Sequence, residues 1–290
     1  MARNNVDAWI PEEYDSEVVT RVNQNSAVEA LAKRKVMGSE TLEVPRMGAV
    51  SVDVIPKGTD YTDGEPTNDV VTLRTRKFGK TFTIAEEDLD DTLADVIAGY
   101  QNEWAVSYAR KLDNAAIACT GTENGTTVPF TSLYKAAGSG QKLVTAGAVT
   151  YDKLSEAFGI YEGGDYANDA DTIVMAHPVF KSAFRGIKGT DGHPIFVEGL
   201  AGTPATLFDV PVQFSYGLKT SATATDAPSG NALLVVGNRQ FLTLGVRSGP
   251  ESMIGEEFRS DEKILKVRAR RGFAVMRPEA FGILEVTAGA

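Results

Sequence analysis

The feature that most constrains this chain is a long helical pattern between Thr83 and Gly121. Large apolar or small side chains recur there every three or four residues, the spacing of one buried helical stripe. They are Leu89, Leu93, Val96, Ile97, Tyr100, Trp104, Tyr108, Leu112, Ala115, Ala116 and Cys119. At 1.5 Å per residue this helix would be about 55 Å long, whereas a compact domain of the whole chain would be about 50 Å across. The pattern therefore predicts a flat or elongated subunit.

Both ends of this pattern carry helix signals. Thr83 and Glu86 have the spacing of a capping box, and Gly121 stands where many helices end in a left-handed residue. Six acids and no base lie from Glu86 to Asp95, the charge that is favoured near the positive end of a helix dipole. We expect the helix to begin at Thr83. The acidic run lacks the glycine and the spacing of a calcium loop.

The stretch before this helix predicts a long hairpin. Valines alternate with other residues over 50–55, which is typical of a strand. Residues 56–69 are rich in turn formers, and an extended pattern resumes over 70–84. Loops this long usually have a function, and a two-stranded ribbon has marginal stability alone. We expect the hairpin to dock on a partner, and an ordinary edge hairpin is the alternative.

Residues 1–36 predict a polar arm with a thin helical stripe that includes Val18, Val22, Val28 and Leu31. Such an arm would be poorly ordered alone. It is either a frayed terminus or an arm that docks on a neighbouring subunit.

The rest of the chain mixes short strands with unequal helices. A helix from Thr150 or Asp152 to Tyr161 precedes a buried strand at 172–176 and three further strands at 207–215, 232–238 and 240–246. Near the end, Leu265, Val267 and Ala269 alternate with Lys266, Arg268 and Arg270, so one strand face is apolar and the other basic. There is no internal repeat and no regular alternation of strand and helix, which indicates an α+β fold.

Composition excludes several classes of protein. One cysteine rules out an internal disulfide. No apolar run reaches the roughly 18 residues of a membrane span, and the polar N-terminus is not a signal peptide. A net charge of −10 argues against a dedicated nucleic-acid binder. We expect the protein to be made and folded in a cytoplasm, without a membrane partner.

The sequence offers no constellation for catalysis. His177 and His193 each precede a proline and have no second metal ligand at a familiar spacing. Cys119 lies on the helical stripe and is expected to be buried. The glycines form neither of the common phosphate-binding motifs. We predict no catalytic, cofactor-binding or metal-binding residue, and we expect the basic strand face to meet solvent or a partner's carboxylates more often than phosphate.

The order of these segments resembles the major capsid protein of tailed double-stranded DNA bacteriophages, which has the Hong-Kong-97-type fold. Four stretches are similar to the family pattern, in the order in which the family has them. They are IVMAHPVFKSAFRGIKGTDGHPIF, TLFDVPVQFS, LLVVGNRQFLTLGVRSGPESM and VRARRGFAVMRPEAFGILEV. The long hairpin and the acid-rich helix precede them, so the resemblance covers nearly the whole chain.

The resemblance implies a division of the chain. Residues 1–43 would form an N-arm, 44–82 an extended E-loop hairpin, and 83–121 the spine helix of a peripheral domain. Residues 122–250 would form an axial domain, and 251–290 would return to the peripheral domain as strands.

The resemblance also implies a function. Copies of the chain would self-assemble into hexamers and pentamers of an icosahedral phage head that encloses double-stranded DNA without binding it specifically. The protein would reside in the virion after assembly in the bacterial cytoplasm, with a portal and separate scaffolding or decoration proteins as partners. An encapsulin-like nanocompartment shell is one alternative, and an enzyme whose site is not recognised is a more distant one.

Charge patterning leads to a hypothesis about the subunit interface. The bases on the second hairpin limb would meet a neighbour's carboxylates, either those at 86–91 or those at 251–262. With an aromatic anchor in the arm, the predicted interface residues are Trp9, Arg74, Arg76, Lys77, Lys80, Glu86, Glu87, Asp88, Asp90, Asp91, Glu256 and Glu257.

Two departures from the family pattern give further expectations. The arm starts directly after Met1, so scaffolding would be a separate protein or unnecessary. Some members join a hairpin lysine to an asparagine of the peripheral domain. Lys57 is near the loop tip, but no asparagine follows Asn238, and we therefore predict no such crosslink.

Overall fold

The computed structural model describes residue 21 and residues 24–91, 96–187, 205–257 and 259–287. Within these ranges the chain forms two sheets that share an apolar core, and a second apolar cluster covers the other face of the second sheet. The helices are α1 (Ala27–Leu31), α2 (Glu86–Asp91), α3 (Val96–Asp113), α4 (Leu133–Ala136), α5 (Tyr151–Glu162) and α6 (Phe180–Gly186). The strands are β1 (Lys33–Val36), β2 (Thr41–Arg46), β3 (Asp69–Ala85), β4 (Lys142–Ala146), β5 (Thr172–Ala176), β6 (Thr206–Leu207), β7 (Val210–Phe214), β8 (Ala232–Asn238), β9 (Leu242–Glu257), β10 (Glu262–Val275) and β11 (Phe281–Thr287).

The first sheet has the strand order β1-β9-β10-β3-β2. Its long central strands are antiparallel, and only β1 runs parallel to its neighbour β9. The alternation in β10 is confirmed, because Leu265, Val267 and Ala269 are buried while Lys266 is exposed. β3 has 17 residues and so spans about 56 Å. The longest element of the described chain is therefore this strand.

The second sheet has the strand order β4-β11-β8-β5-β7-β6. Its central strand β8 is buried at every residue, as expected for the apolar run ALLVVGN. Helix α5 packs against β11 and β8. The predicted helix from Thr150 or Asp152 to Tyr161 and the predicted strand at 172–176 are both confirmed. The chain is thus α+β, as the sequence predicts.

Helix α3 joins the two sheets. Its last two residues, Leu112 and Asp113, and the π-helical turn that follows (Asn114–Ala118) are buried. Tyr108 meets the ring of Phe78 from β3 edge-on, with ring centroids 5.9 Å apart. Phe130 lies between Phe78 and Phe273 of β10. This aromatic core fixes the helix against the first sheet.

The prediction that the long helix begins at Thr83 is wrong. Thr83 pairs with Ile264 in the β3–β10 ladder, and β3 continues to Ala85. Helix α2 begins at Glu86, whose backbone N–H donates to the carbonyl of Asp261 at 3.0 Å. Pairing with a long neighbouring strand therefore outweighs the local capping signal. Residues 92–95 of the predicted helix lie outside the described residues.

The predicted helix end at Gly121 also differs. The helix closes in the π-helical turn and the chain becomes extended at Cys119. Gly121 is not among the glycines with positive φ. A side chain at Gly121 would meet the carbonyl oxygen of Ala222, 2.3 Å from its Cβ. This glycine permits a close backbone approach instead of capping a helix.

Two further elements differ from the sequence expectations. The described part of the arm is helical only over Ala27–Leu31, and Lys33–Val36 form β1 beside β9. The expected strand over 50–55 is not formed, because residues 47–68 have no strand partner among the described residues. Only the base of the hairpin, β2 with Asp69–Arg74, is paired.

The boundaries of the return segment differ as well. β9 begins at Leu242, before the expected boundary at 251, and it lies in the first sheet, whereas the preceding strand β8 lies in the second. β11 lies inside the second sheet, between β4 and β8, and does not return to the first. Because Phe281–Leu284 are apolar and fully buried, a central position in a covered sheet suits them.

No helix in the described residues is long and apolar enough to cross a membrane. In the same residues, no three histidine, cysteine or acidic side chains converge on a metal-binding geometry.

Candidate subunit interfaces

A groove of about 430 Å³ lies between β3 and α3. β3 contributes residues 76–80 and Phe82, and α3 contributes Trp104, Ser107 and Lys111. On β3, residues 76–85 have no strand partner on the side away from β10 in the described chain, because β2 stops at Thr41, opposite Arg74. The groove thus follows an open strand edge and has an aromatic floor.

The groove carries unpaired positive charge. Lys77, Lys80 and Lys111 are exposed, and none forms an ion pair with another described residue. Lys80 lies 5.6 Å from the ring centroid of Phe82. Two acids line the groove, and one of them, Glu103, is already bound by Arg21. Arg21 holds the pKa of Glu103 below its usual value through these hydrogen bonds.

The loop of residues 47–68 is held at its base by hydrogen bonds of Arg46 and Arg277. The Arg46 guanidinium bonds Asp69 at 2.6 Å and the carbonyl of Met276 at 2.7 Å. Arg277 donates to the carbonyl of Met47. At the tip, Gly58 has φ +87° and the Thr59 N–H donates to the carbonyl of Pro56, as in a type II turn.

This loop exposes apolar side chains that its own chain does not cover. Val52 and Val54 are 92% and 97% exposed, and Tyr61 is 87% exposed. The loop also carries four acids, Asp53, Asp60, Asp63 and Glu65, and the single base Lys57. Only Asp53 has a described side-chain partner, the hydroxyl of Thr62 at 2.5 Å. A segment of this composition is suited to a cationic, partly apolar surface.

A second charged feature is an acidic tip at the far end of the first sheet. Ala85 pairs with Glu262, and Glu262 pairs with Glu257 on the other side. The predicted interface acids on α2 and on β9 therefore meet at one place. Glu87, Asp88, Glu256 and Glu257 are exposed there. Glu86 is different, because it pairs with Lys263 of the same chain at 2.9 Å.

The predicted interface bases do not share one environment. Arg74 is exposed on β3, whereas Arg76 is bound within its own chain. Its guanidinium pairs with Glu123 at 3.2 Å and donates to the carbonyl of Pro129 at 3.3 Å. Arg76 is therefore a weaker candidate for contact with a neighbour than its position in the sequence suggests.

Three other predicted interface residues cannot be placed in this way. Trp9 lies outside the described residues, and so do the side chains of Asp90 and Asp91.

The arm is tied to α3 by a buried carboxylate that sequence reasoning missed. Asp113 is fully buried and accepts hydrogen bonds from the Ser26 hydroxyl, the N–H groups of Ala27 and Val28, and the Ser215 hydroxyl. Burial raises the pKa of Asp113, and these hydrogen bonds oppose the rise. Ser26 also caps α1 by accepting from the Glu29 N–H.

A second buried contact holds the arm to β10. Arg271 is 5% exposed and its guanidinium donates to Glu29 at 2.7 Å, while the Tyr108 hydroxyl donates to the same carboxylate at 2.8 Å. The only signal in the sequence was the run of six bases over 263–277, in which Arg271 is not distinguished from its neighbours. Buried hydrogen bonds to Asp113 and Arg271 therefore attach residues 26–29 of the arm to the subunit.

Comparisons with known proteins agree with this architecture. A family model described as the phage capsid family matches residues 7–286. No curated protein sequence matches the chain. Among solved structures, a chain of Mycobacterium phage Bobi has a TM-score of 0.75 at 18% identity, covering 100% of this chain and 99% of that one. A chain of Gordonia phage Cozz has a TM-score of 0.73 at 19% identity, covering 97% and 92%. The capsid of a native GTA particle gives 0.72 at 17% identity with full coverage of both chains.

Proposed function

This chain belongs to the phage capsid family and is a structural major capsid protein, and we propose that its copies assemble into the hexamers and pentamers of an icosahedral phage head. The observation that carries the proposal is the match of the family model to residues 7–286. A match over nearly the whole chain leaves little room for a separate enzymatic domain.

The unpartnered surfaces support assembly from many copies. The loop of residues 47–68 exposes apolar side chains, and β3 has an open basic edge in a different part of the subunit. Contacts between unlike surfaces repeat head to tail and close into rings when the rotation allows it. Many modest contacts then hold a shell because they are engaged together.

The proposed head encloses double-stranded DNA without a specific binding site. A net charge of −10 suits a container that must later release its contents, because a strongly basic lining would retain the phosphates. The head is built in the bacterial cytoplasm and resides in the virion. A portal protein and separate scaffolding or decoration proteins are the partners that such a head requires.

Expression of the chain alone tests this proposal. Light scattering gives the mass of the particles, and negative-stain electron microscopy gives their shape. Shells, tubes or capsomer rings are the expected products, and the shell diameter then limits the number of subunits. If only monomer forms, addition of a scaffolding protein should produce shells. A stable dimer or tetramer that ignores the scaffold would contradict the proposal.

A further inference from the structure

We propose that a pocket between the arm, α3 and α6 binds a phosphate group of the DNA backbone. The inference rests on the proposed function for the source of the phosphate, because the shell encloses DNA. It goes further by assigning the backbone a contact site on the subunit. Such a site carries no sequence preference, because it meets phosphates and not the edges of bases.

The pocket has a volume of about 270 Å³ and lies where four segments of the chain meet. The arm contributes Gln24 and Asn25, α3 contributes Arg110, α6 contributes Lys181, and the end of β7 with the residues after it contributes 213–216. Among the described residues that line the pocket there are two cations and no carboxylate. The charge that it presents is therefore of one sign.

Both cations are held over aromatic rings. The Arg110 guanidinium lies 4.9 Å from the ring centroid of Tyr216, and the Lys181 ammonium lies 4.5 Å from that of Phe214. Neither cation forms an ion pair with another described residue. Contact with a ring orders a cation without neutralising it, so both charges remain available to an anion.

The neutral groups beside these cations are suited to donate hydrogen bonds. Arg110 donates through Nε to the side-chain oxygen of Gln24 at 2.8 Å, which leaves the Gln24 NH₂ group and the terminal guanidinium nitrogens for a ligand. The side-chain amides of Asn25 and Gln213 and the Tyr216 hydroxyl have no hydrogen-bond partner in the described chain. A backbone phosphate is an anion whose oxygens only accept, and it matches such a set of donors.

The acids nearby are already engaged. Ser215 lines the pocket, and its hydroxyl donates to Asp113 at 2.6 Å. Asp113 is fully buried and accepts three further hydrogen bonds. Glu103, on the same helix as Arg110, is bound by Arg21. Neither acid therefore competes with a phosphate for the two cations.

The described part of the arm leaves the pocket accessible. Gln24 bonds Arg110, whereas Arg21 bonds Glu103, which lies about 10 Å nearer the start of α3. The arm therefore passes beside the pocket and leads away from it along the helix. Lys181 is exposed, and Tyr216 is 47% exposed.

A contact of this size is compatible with release of the DNA. Two cations neutralise about two phosphates, so binding to one subunit is weak and falls as the salt concentration rises. Many copies in a shell engage such contacts together. The net charge of −10 does not oppose the site, because the pocket is a local exception to the acidic surface.

The first test measures binding of a fluorescein-labelled double-stranded oligonucleotide to the full chain by fluorescence anisotropy at several salt concentrations. Lys181→Gln should weaken binding and reduce the slope of log K against log salt by about 1. Arg110→Lys keeps the charge but loses the planar fork, so it should weaken binding with the slope unchanged. Lys135→Gln is the matched control, since this exposed lysine of α4 does not line the pocket.

The results separate the phosphate site from the proposed function. A wild-type salt slope in Lys181→Gln would overturn the site, and so would an equal loss of slope in Lys135→Gln. Binding of inorganic phosphate without binding of the oligonucleotide would overturn DNA as the ligand. Electron microscopy of the same preparations scores assembly independently, and a wild type that never assembles would count against the proposed function. Since Lys181 is exposed, its variant still decides the question if Arg110→Lys fails to fold.

The second test locates the contact in particles that contain DNA. Formaldehyde treatment, digestion and mass spectrometry identify the lysines that are joined to nucleotides. Adducts should form at Lys181 and be at least tenfold fewer at Lys135. Equal adducts at the two lysines, or none at Lys181, would show that the pocket does not meet the DNA and would overturn the inference.

Discussion

At the scale of single residues, the buried carboxylate of Asp113 ties three distant segments together. Asp113 ends α3, and its oxygens accept hydrogen bonds from two N–H groups of α1, from the Ser26 hydroxyl at the start of α1, and from the Ser215 hydroxyl after β7. A buried donor that loses its acceptor costs about 1–3 kcal/mol of stability. Removal of this one carboxylate would leave four donors without their acceptor. Asp113 therefore helps to hold residues 26–28 of the arm on the subunit.

We predict that Asp113→Ala lowers the free energy of unfolding by about 3 kcal/mol or more. Asp113→Asn should cost less, because its amide oxygen still accepts from one side of the site. Urea unfolding of the purified subunit or capsomer measures both. Equal losses in the two variants would contradict this prediction, because Asn keeps the side-chain volume and one acceptor oxygen.

His177 should make stability depend on pH. Burial lowers the pKa of His177 to about 4, with a smaller contribution from Lys219. The neutral ring accepts a hydrogen bond from the Val179 N–H at its Nδ1 atom. Between about pH 6.5 and 4 the unfolded chain binds a proton that the folded chain does not, so stability falls as the pH falls through this range.

Substitution of His177 isolates this effect. His177→Asn retains an acceptor beside the Val179 N–H but does not titrate. The midpoint temperature of thermal unfolding should fall less steeply between pH 7 and pH 4 in the variant than in the wild type. Parallel curves would mean that other groups cause the whole pH dependence.

At the scale of elements, the two arginines of β3 should respond differently to charge reversal. Arg76→Glu would place a carboxylate beside Glu123 and remove the donor to Pro129. We expect it to destabilise the subunit by about 2 kcal/mol. Arg74→Glu changes an exposed side chain and should leave unfolding within about 0.5 kcal/mol of the wild type.

The effect on particle formation should distinguish the two variants further, because only Arg74→Glu is expected to act without unfolding the subunit. If Arg74 meets a neighbour's carboxylates, Arg74→Glu should impair particle formation while the subunit stays folded. Chemical denaturation and electron microscopy of the same preparations separate the two effects. Normal particles from Arg74→Glu would remove this residue from the interface.

The sequence predicts the helices and strands whose signals lie in the local pattern. It fails where pairing with a distant strand decides the structure. The alternation in β10 and the apolar run of β8 identify strands directly from the sequence. Thr83 and Glu86 give a valid local helix signal, but the ladder between β3 and β10 converts Thr83 into a strand residue. Valines at 50–54 give a valid strand signal, yet no described strand in the same chain pairs with them.

For the candidate interface, the sequence reveals the charged groups but not the ion pairs that they form within the chain. The sequence predicts bases and acids as the two sides of an interface, and the sheet brings the acids of α2 and β9 to one tip. It could not reveal that Arg76 and Glu86 already have partners in the chain. Such pairs join residues that are 47 or more positions apart, and periodicity carries no information about them.

At the scale of the whole molecule, the shell should be held by non-covalent contacts alone. The return strands offer a hairpin lysine no asparagine as a crosslink acceptor, because β9, β10 and β11 contain none. Asn238, the last asparagine, is 4% exposed. Its amide donates to the Tyr166 carbonyl at 3.1 Å and accepts from the Gln240 N–H at 2.9 Å. Lys57 therefore has no acceptor at that position.

We predict that particles boiled in detergent run as a single band at 31.0 kDa. Lys57→Arg is the control, because it keeps the charge and removes the nucleophilic amine; it should give the same band. Many weak contacts engaged together would then account for shell stability without a covalent network. A ladder of multiples in the wild type that disappears in Lys57→Arg would show that the shell does crosslink, and that the acceptor lies outside the return strands.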